Sequence, residues 1–393
     1  MGKALFIMLG CISIFGMFAG GCNTDESISV SPRVEWAKTF GGSGDDLAMS
    51  IQQTIDGGYI VVGLTASYGV GETDFLLVKT DERGKEQWEK TFGGTDDDMA
   101  WSVQQTSDGG YIIAGGSVSY GAGKSDFWLV KTNARGEEEW SKTFGGPSDD
   151  AAWSVRQTSD GGYIIAGYTE SYGAGNEDLW LVKTDKMGEE EWSNTFGGPD
   201  DDRAYYVQQS SDGGYIIAGS TESYGVGQSD FWLLKVGEGG EEEWSKTWGG
   251  RWNDEAMSVR QTSDGGYIAA GLTRSYGAGG CDVLVVKMND EGDEEWSKTY
   301  GGPGDDSAMS VQQASDGGYI VAGVTYSYSV AGWSDLWLVK TNMMGERQWS
   351  KAFGGSGEDM ADSIQRTSDD GYIIAGWTTS HAGGQDFWVV KLK

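Results

Sequence analysis

The sequence predicts an all-β protein, a seven-bladed β-propeller of four-stranded blades whose ring is closed by the N-terminal strand. Three observations lead there. Seven tryptophans, Trp36, Trp88, Trp140, Trp192, Trp244, Trp296 and Trp349, stand 52 residues apart five times and then 53. Each interval carries four short runs rich in β-branched and aromatic residues, divided by Gly, Asp, Asn and Ser turns. The chain opens on a run of the fourth type and finishes on a run of the third. A period of this length marks a repeat architecture rather than independent domains.

Residues 100–146 show what one repeat encodes. The first run, 101–106, is polar, with Gln104 and Gln105 here and Arg156 and Arg260 in other copies, as suits a strand bordering a wet central channel. Ser-Asp-Gly-Gly follows at 107–110, where Asp-Gly supplies the positive φ that a tight hairpin needs. The second run, 111–115, and the third, 127–131, are apolar at consecutive positions, so both their faces should be buried between neighbouring sheets. A turn at 132–136 leads into the fourth run, whose Glu139 and Lys142 suit an outer edge that must not pair with other chains. No run has helical period or length, so almost no helix is expected.

The chain ends complete the ring. Val34–Phe40 is a fourth strand with no blade before it, and the run 386–391 is a third strand with no fourth after it. Pairing them gives seven whole blades and removes the exposed edges of an open array. Loops from fourth to first and from second to third strands then share one face, the loop face. The two hairpin turns of each blade share the other, the hairpin face, and the segment before Val34 should enter there.

The phrase Trp-Ser-Lys-Thr-Phe-Gly-Gly-x-x-Asp-Asp, followed by Asp-Gly-Gly-Tyr-Ile-Ile-Ala-Gly and Asp-Phe-Trp-Leu-Val-Lys, resembles the prokaryotic seven-bladed β-propeller repeats called SBBP. The resemblance spans residues 34–393 and implies a surface or secreted protein with no single activity. A more local resemblance joins Lys79-Thr-Asp-Glu-Arg-Gly84 and Trp88 to the tryptophan-docking repeat of quinoprotein propellers. That one implies an oxidoreductase with a calcium-held quinone, but such propellers typically have eight blades and no unique cofactor site is visible here.

Residues 1–21 have the form of a signal peptide: Lys3, an apolar run over 4–18, and Ala19-Gly20-Gly21 before Cys22. Cys22 resembles the lipidated first residue of a prokaryotic lipoprotein, although Ala19 stands where leucine is usual. An ordinary cleaved signal and an uncleaved anchor are the alternatives. Residues 22–33 form a tether and 34–393 the propeller. The expected place is the outer side of the cell membrane or the cell surface, with the membrane touched only through that N-terminal anchor.

The formal net charge is −32, from 28 Lys and Arg against 60 Asp and Glu, which argues against nucleic-acid binding and favours a soluble monomer. Cys11 leaves with the signal and Cys22 is capped, so Cys281 has no partner for an internal disulfide.

Candidate binding residues fall on the loop face. Asp46, Asp98, Asp150, Asp202, Asp254, Asp306 and Asp359 close the Gly-Gly-x-x-Asp-Asp loops, and Asp74, Asp126, Asp178, Asp230, Asp282, Asp335 and Asp386 precede the third strands. Turn chemistry accounts for both rings, since aspartate there accepts backbone N–H bonds. Clustered carboxylates are also candidate calcium ligands, without the contiguous spacing of an EF-hand loop. Between the rings stand Tyr68, Tyr120, Tyr172, Tyr224, Tyr276 and Tyr328, with His381 in the seventh copy. Departures from the repeat mark Arg251 and Trp252 before the fifth blade and Trp333 in a lengthened loop of the sixth. Tryptophan and arginine are the residue types that most often carry binding energy.

One histidine excludes a His cluster for zinc, and acids repeated seven times single out no catalytic pair. The expected function is therefore a non-catalytic binding or cell-surface structural module for a protein or polysaccharide. A quinoprotein-like or polysaccharide-processing propeller enzyme is the alternative.

Overall fold

The computed structural model describes residues 32–330, 333–380 and 384–393. The signal peptide, Cys22, most of the tether and His381 lie outside the described residues. Within them, 28 strands form seven four-stranded antiparallel sheets, and there is no helix. Blades 1 to 6 run over 46–92, 98–144, 150–196, 202–248, 254–300 and 306–353. Blade 7 takes three strands from 359–392 and its outer strand from Val34–Phe40, which pairs antiparallel with Asp386–Leu392. The closure expected from the sequence is therefore present. Val34 faces Leu392 and Arg33 exchanges two backbone hydrogen bonds of 2.9 Å with Lys393, so the described N-terminal segment enters on the hairpin face.

The core is distributed between blades. Third strands such as Asp74–Thr80 are buried throughout, while fourth strands such as Glu86–Phe92 are largely exposed. Ile112, Ala114, Phe127 and Leu129 of blade 2 pack against Ala152, Val155, Tyr163 and Ile165 of blade 3 in one apolar layer, and the same layer recurs around the ring. Consecutive apolar residues on the middle strands are needed because each such sheet has a dry neighbour on both sides.

The repeated tryptophan docks one blade on the next. Trp88 of blade 1 lies over Gly136 in the outer hairpin of blade 2, and makes an edge contact with Tyr111 of that blade at 5.9 Å. Gly136 has φ +71°, and a Cβ there would stand 2.6 Å from the indole. Gly136→Ala should cost about 1–3 kcal/mol, from strain and from displacement of the ring. Gly109→Ala, at φ +85° but with nothing within 4 Å, isolates the backbone part and should cost about 1 kcal/mol. Equal losses in thermal melts of the two variants would show that the dock contributes nothing.

A lysine fixes the hairpin face of every blade. The Lys183 ammonium, almost wholly buried, bonds Asp160 at 2.8 Å, Glu191 at 2.7 Å and the Thr184 carbonyl at 3.1 Å. Burial alone would raise the Asp160 pKa, but hydrogen bonds from Lys183, Thr158 and Gly162 hold it at about 2. Lys79, Lys131, Lys235, Lys287, Lys340 and Lys391 occupy the equivalent places.

Candidate functional site

The loop-face aspartates are held by their own blades. In all seven copies the N–H of the second glycine of the loop donates to one carboxylate oxygen of this Asp46 ring, as Gly42 does to Asp46 at 2.7 Å. The other Asp46 oxygen accepts the Thr65 hydroxyl, and Ser67 adds a bond of 2.6 Å. In the second ring, Asp74 accepts the N–H groups of Val70 and Gly71. Burial lifts the carboxyls of Asp74, Asp126, Asp178 and Asp230 above the usual range, to about 6 at Asp230, with neighbouring Asp254 adding to it. No group of three or more His, Cys, Asp or Glu side chains converges to hold a metal among the described residues. Melting in chelator and in excess calcium tests the carboxylates as ligands: a rise in midpoint with calcium would make them metal sites, and an unchanged midpoint would leave them as turn-formers.

The tyrosines fasten loops. Each of the six donates its hydroxyl to a glycine carbonyl of the preceding loop, as Tyr68 does to Gly41 at 2.8 Å. Arg251 lies over the Trp252 ring at 5.0 Å, whereas Trp333, 74% exposed, stands on a loop of another blade. These side chains line the rim of the loop face and do not meet at one point. Cys281 is buried, which pushes its thiol up to about 12 and leaves it unreactive.

The side chains that do converge are in the central channel. Every innermost strand carries a β-bulge, with the register shifting between positions equivalent to Ala48 and Ser50. The bulge directs two consecutive side chains to the channel instead of one. From blade 1 to blade 7 the extra residue is Met49, Trp101, Trp153, Tyr205, Met257, Met309 and Asp362. Trp101 and Trp153 stand 6.1 Å apart, and Trp153 stacks on Tyr205 at 4.6 Å with 20° between the planes. An aromatic arc thus covers blades 2 to 4, with Asp362 across the ring on blade 7. Together they line a cavity of about 320 Å³ that opens toward the loop face.

The next rings toward the hairpin face show what the repeat requires. Serines such as Ser102 and Ser154 accept an N–H from the following blade at 3.2 Å, and Gln52, Gln104, Gln208 and Gln365 do likewise through Oε1. Three residues break this pattern: Arg156 and Arg260 replace glutamine, and Tyr206 replaces serine. Both guanidinium groups lie over the Tyr206 ring, at 4.7 and 4.3 Å. They line the aromatic cavity and a second one of about 570 Å³ toward the hairpin face.

Asp362 and the two arginines keep some contact with the channel space but are otherwise enclosed by protein. Burial pushes the Asp362 carboxyl up to about 7, and its Oδ2 has no hydrogen-bond partner in the protein. Burial also lowers Arg156, to about 10, and lowers Arg260 further with the repulsion of Arg156 added. Glu255, nearer the loop-face mouth, is raised by burial as well. Sequence reasoning placed Arg156 and Arg260 on the channel but missed their meeting at Tyr206, the aromatic arc and Asp362. The signal was present as departures from the repeat on the first strand.

No family model matches the chain. A regulatory protein, FlaEY of Caulobacter vibrioides, is 26% identical over 114 residues; the match takes in 26% of this chain and 12% of FlaEY. Among solved structures, the WD40 domain of Pan2 from Neurospora crassa superposes with a TM-score of 0.56 at 12% identity, over 88% of this chain and 89% of that one. An α-L-arabinanase of Penicillium chrysogenum, complexed with arabinobiose, gives 0.50 at 10% identity, over 93% and 98%. At such identities these likenesses establish the propeller fold alone.

Proposed function

We propose that this chain is an exported, non-catalytic binding module of the SBBP-repeat type that takes its ligand in the loop-face half of the central channel. The carrying observation is the arc of Trp101, Trp153 and Tyr205, which departs from the repeat and lines a 320 Å³ cavity. Blade folding does not call for it, since methionine fills the same place in blades 1, 5 and 6. Aromatic faces beside hydroxyls and a carboxyl suit a sugar chain or a protein side chain entering the channel. Lipidation at Cys22 would hold the hairpin face toward the membrane and turn the channel mouth outward, in keeping with Val34 lying on the hairpin face.

Titration of tryptophan fluorescence with oligosaccharides tests the site. Trp153→Ala should weaken binding by about tenfold or more, and Trp333→Ala should leave it unchanged. The reverse result would move the site to the rim.

A second proposal, a polysaccharide-processing enzyme, draws on one observation: Asp362 and Glu255 are both carboxyls with raised pKa on the innermost strands. Release of reducing ends from a bound polysaccharide, lost in Asp362→Asn, would favour it over the binder.

A further inference from the structure

Arg156 and Arg260 sit where the repeat uses an acceptor. Glutamine there takes an N–H from the next blade, as Gln104 does from Gln157 at 2.7 Å. Arginine has no acceptor atom, so each replacement gives up one bond between blades. The tyrosine they share also replaces a bonding serine. Three costly departures in adjacent blades meet at one point, which repeat drift at separate positions does not explain.

The charges are uncompensated. Arg156 spends its Nε on the Tyr206 hydroxyl at 3.3 Å and one terminal nitrogen on Ser102 and the Val155 carbonyl. Arg260 has a buried Nε with no partner. Neither forms an ion pair with a carboxylate among the described residues, in a chain holding 60 acids. Two enclosed guanidiniums on one ring repel each other and lack their hydration, and an anion in the cavity that both line lowers both costs. The same cavity is lined by the aromatic arc, in which Trp153 already stacks on Tyr205, by the Ser154 and Ser258 hydroxyls, and by the unpartnered Asp362 oxygen opposite. A flat apolar face, a hydroxyl-rich wall and an anion clamp together describe one kind of molecule.

We propose that the channel binds a hexuronic acid unit, its carboxylate held by Arg156 and Arg260 and its ring stacked on the aromatic arc. This rests on the channel site proposed above and adds the charge of the ligand. Asp362, in its neutral form, donates to a sugar hydroxyl.

Calorimetric titration of the full chain with digalacturonate, neutral digalactose and inorganic sulfate tests it. Digalacturonate should bind about tenfold or more tighter than digalactose, and Arg260→Gln should remove that preference. The variant restores the residue the repeat favours, so it should fold and melt no lower than the parent. Equal binding of both sugars, lost in Trp153→Ala, would keep the channel site and overturn the uronate assignment. Sulfate binding as tightly as digalacturonate would overturn it too, leaving a bare anion site. If no probe binds, both proposals fall. Monogalacturonate matching digalacturonate would identify a free uronate as the ligand, and a gain with length the end of a polysaccharide; each supports the assignment.

Discussion

Asp362→Asn raises the stability of the chain at pH 8 by about 1–3 kcal/mol and flattens its pH dependence between about pH 4 and 7. The carboxyl stands at about 7 in the fold because protein encloses it and its Oδ2 finds no partner. In the unfolded chain an aspartate titrates near about 3.9. Between these values the folded state holds the extra proton, so stability falls as pH rises from about 4 through 7. A gap of about three units sets a ceiling of about 4 kcal/mol, and solvent entering the channel screens part of it. Asparagine keeps the shape and never ionises. The seven lysine-bound aspartates act with the opposite sign. Asp160 and Asp369 titrate at about 2, so their contribution is complete above about pH 4 and lost as pH falls through 2. Chemical denaturation of parent and variant across pH 3–9 separates the two. Parallel curves would mean that Asp362 is ionised and solvated in the fold. A carboxyl that destabilises the protein at neutral pH is the kind of group a binding or catalytic site retains.

The ring was legible because its signals are local and repeated. A tryptophan every 52 residues, Asp-Gly at one hairpin and apolar runs on two strands each have one physical explanation, and all agree. The unpaired strands at the chain ends then fixed how the ring closes. The site was not legible for three separate reasons. Simple alternation puts Trp101 and Ser102 on opposite faces of a strand, and only the bulge brings both to the channel. Arg156, Tyr206 and Arg260 are about fifty residues apart in sequence, so their meeting exists only after three blades are in place. The third-strand lysine went unread, because the Lys183 charge is held inside by Asp160 and Glu191 from two other segments of the repeat. Sequence reasoning sought asymmetry in the loops, at Trp252 and Trp333, where variation costs least. The costlier departures lie on the innermost strands, and cost is the better guide to a site.

Removing residues 1–40 should abolish the single cooperative melt and make the chain aggregate. The strand Val34–Phe40 supplies more than its pairing with Asp386–Leu392. Trp36 lies over Gly84 of blade 1 and meets Tyr59 at 5.7 Å, while Phe40 packs on the same apolar layer, which joins Ala375 and Val389 of blade 7 to Ile51 and Leu76 of blade 1. Loss of two such aromatics costs about 3–5 kcal/mol each when fully buried, and somewhat less here, where both are partly exposed. The deletion also bares Asp386–Leu392, a third-type strand with an open edge and apolar residues on both faces, which is a template for pairing with other chains. In an open array each blade leans only on its neighbours, so unfolding can start at the exposed end. A peptide of residues 32–42 added in excess should dock on that edge and restore both the melt and solubility, since strand addition needs only the vacant ladder and the Trp36 dock. The same peptide with Trp36→Ala should fail, which separates ladder pairing from docking. A truncated chain that melts as sharply and as high as the parent would show that the ring does not depend on its closure.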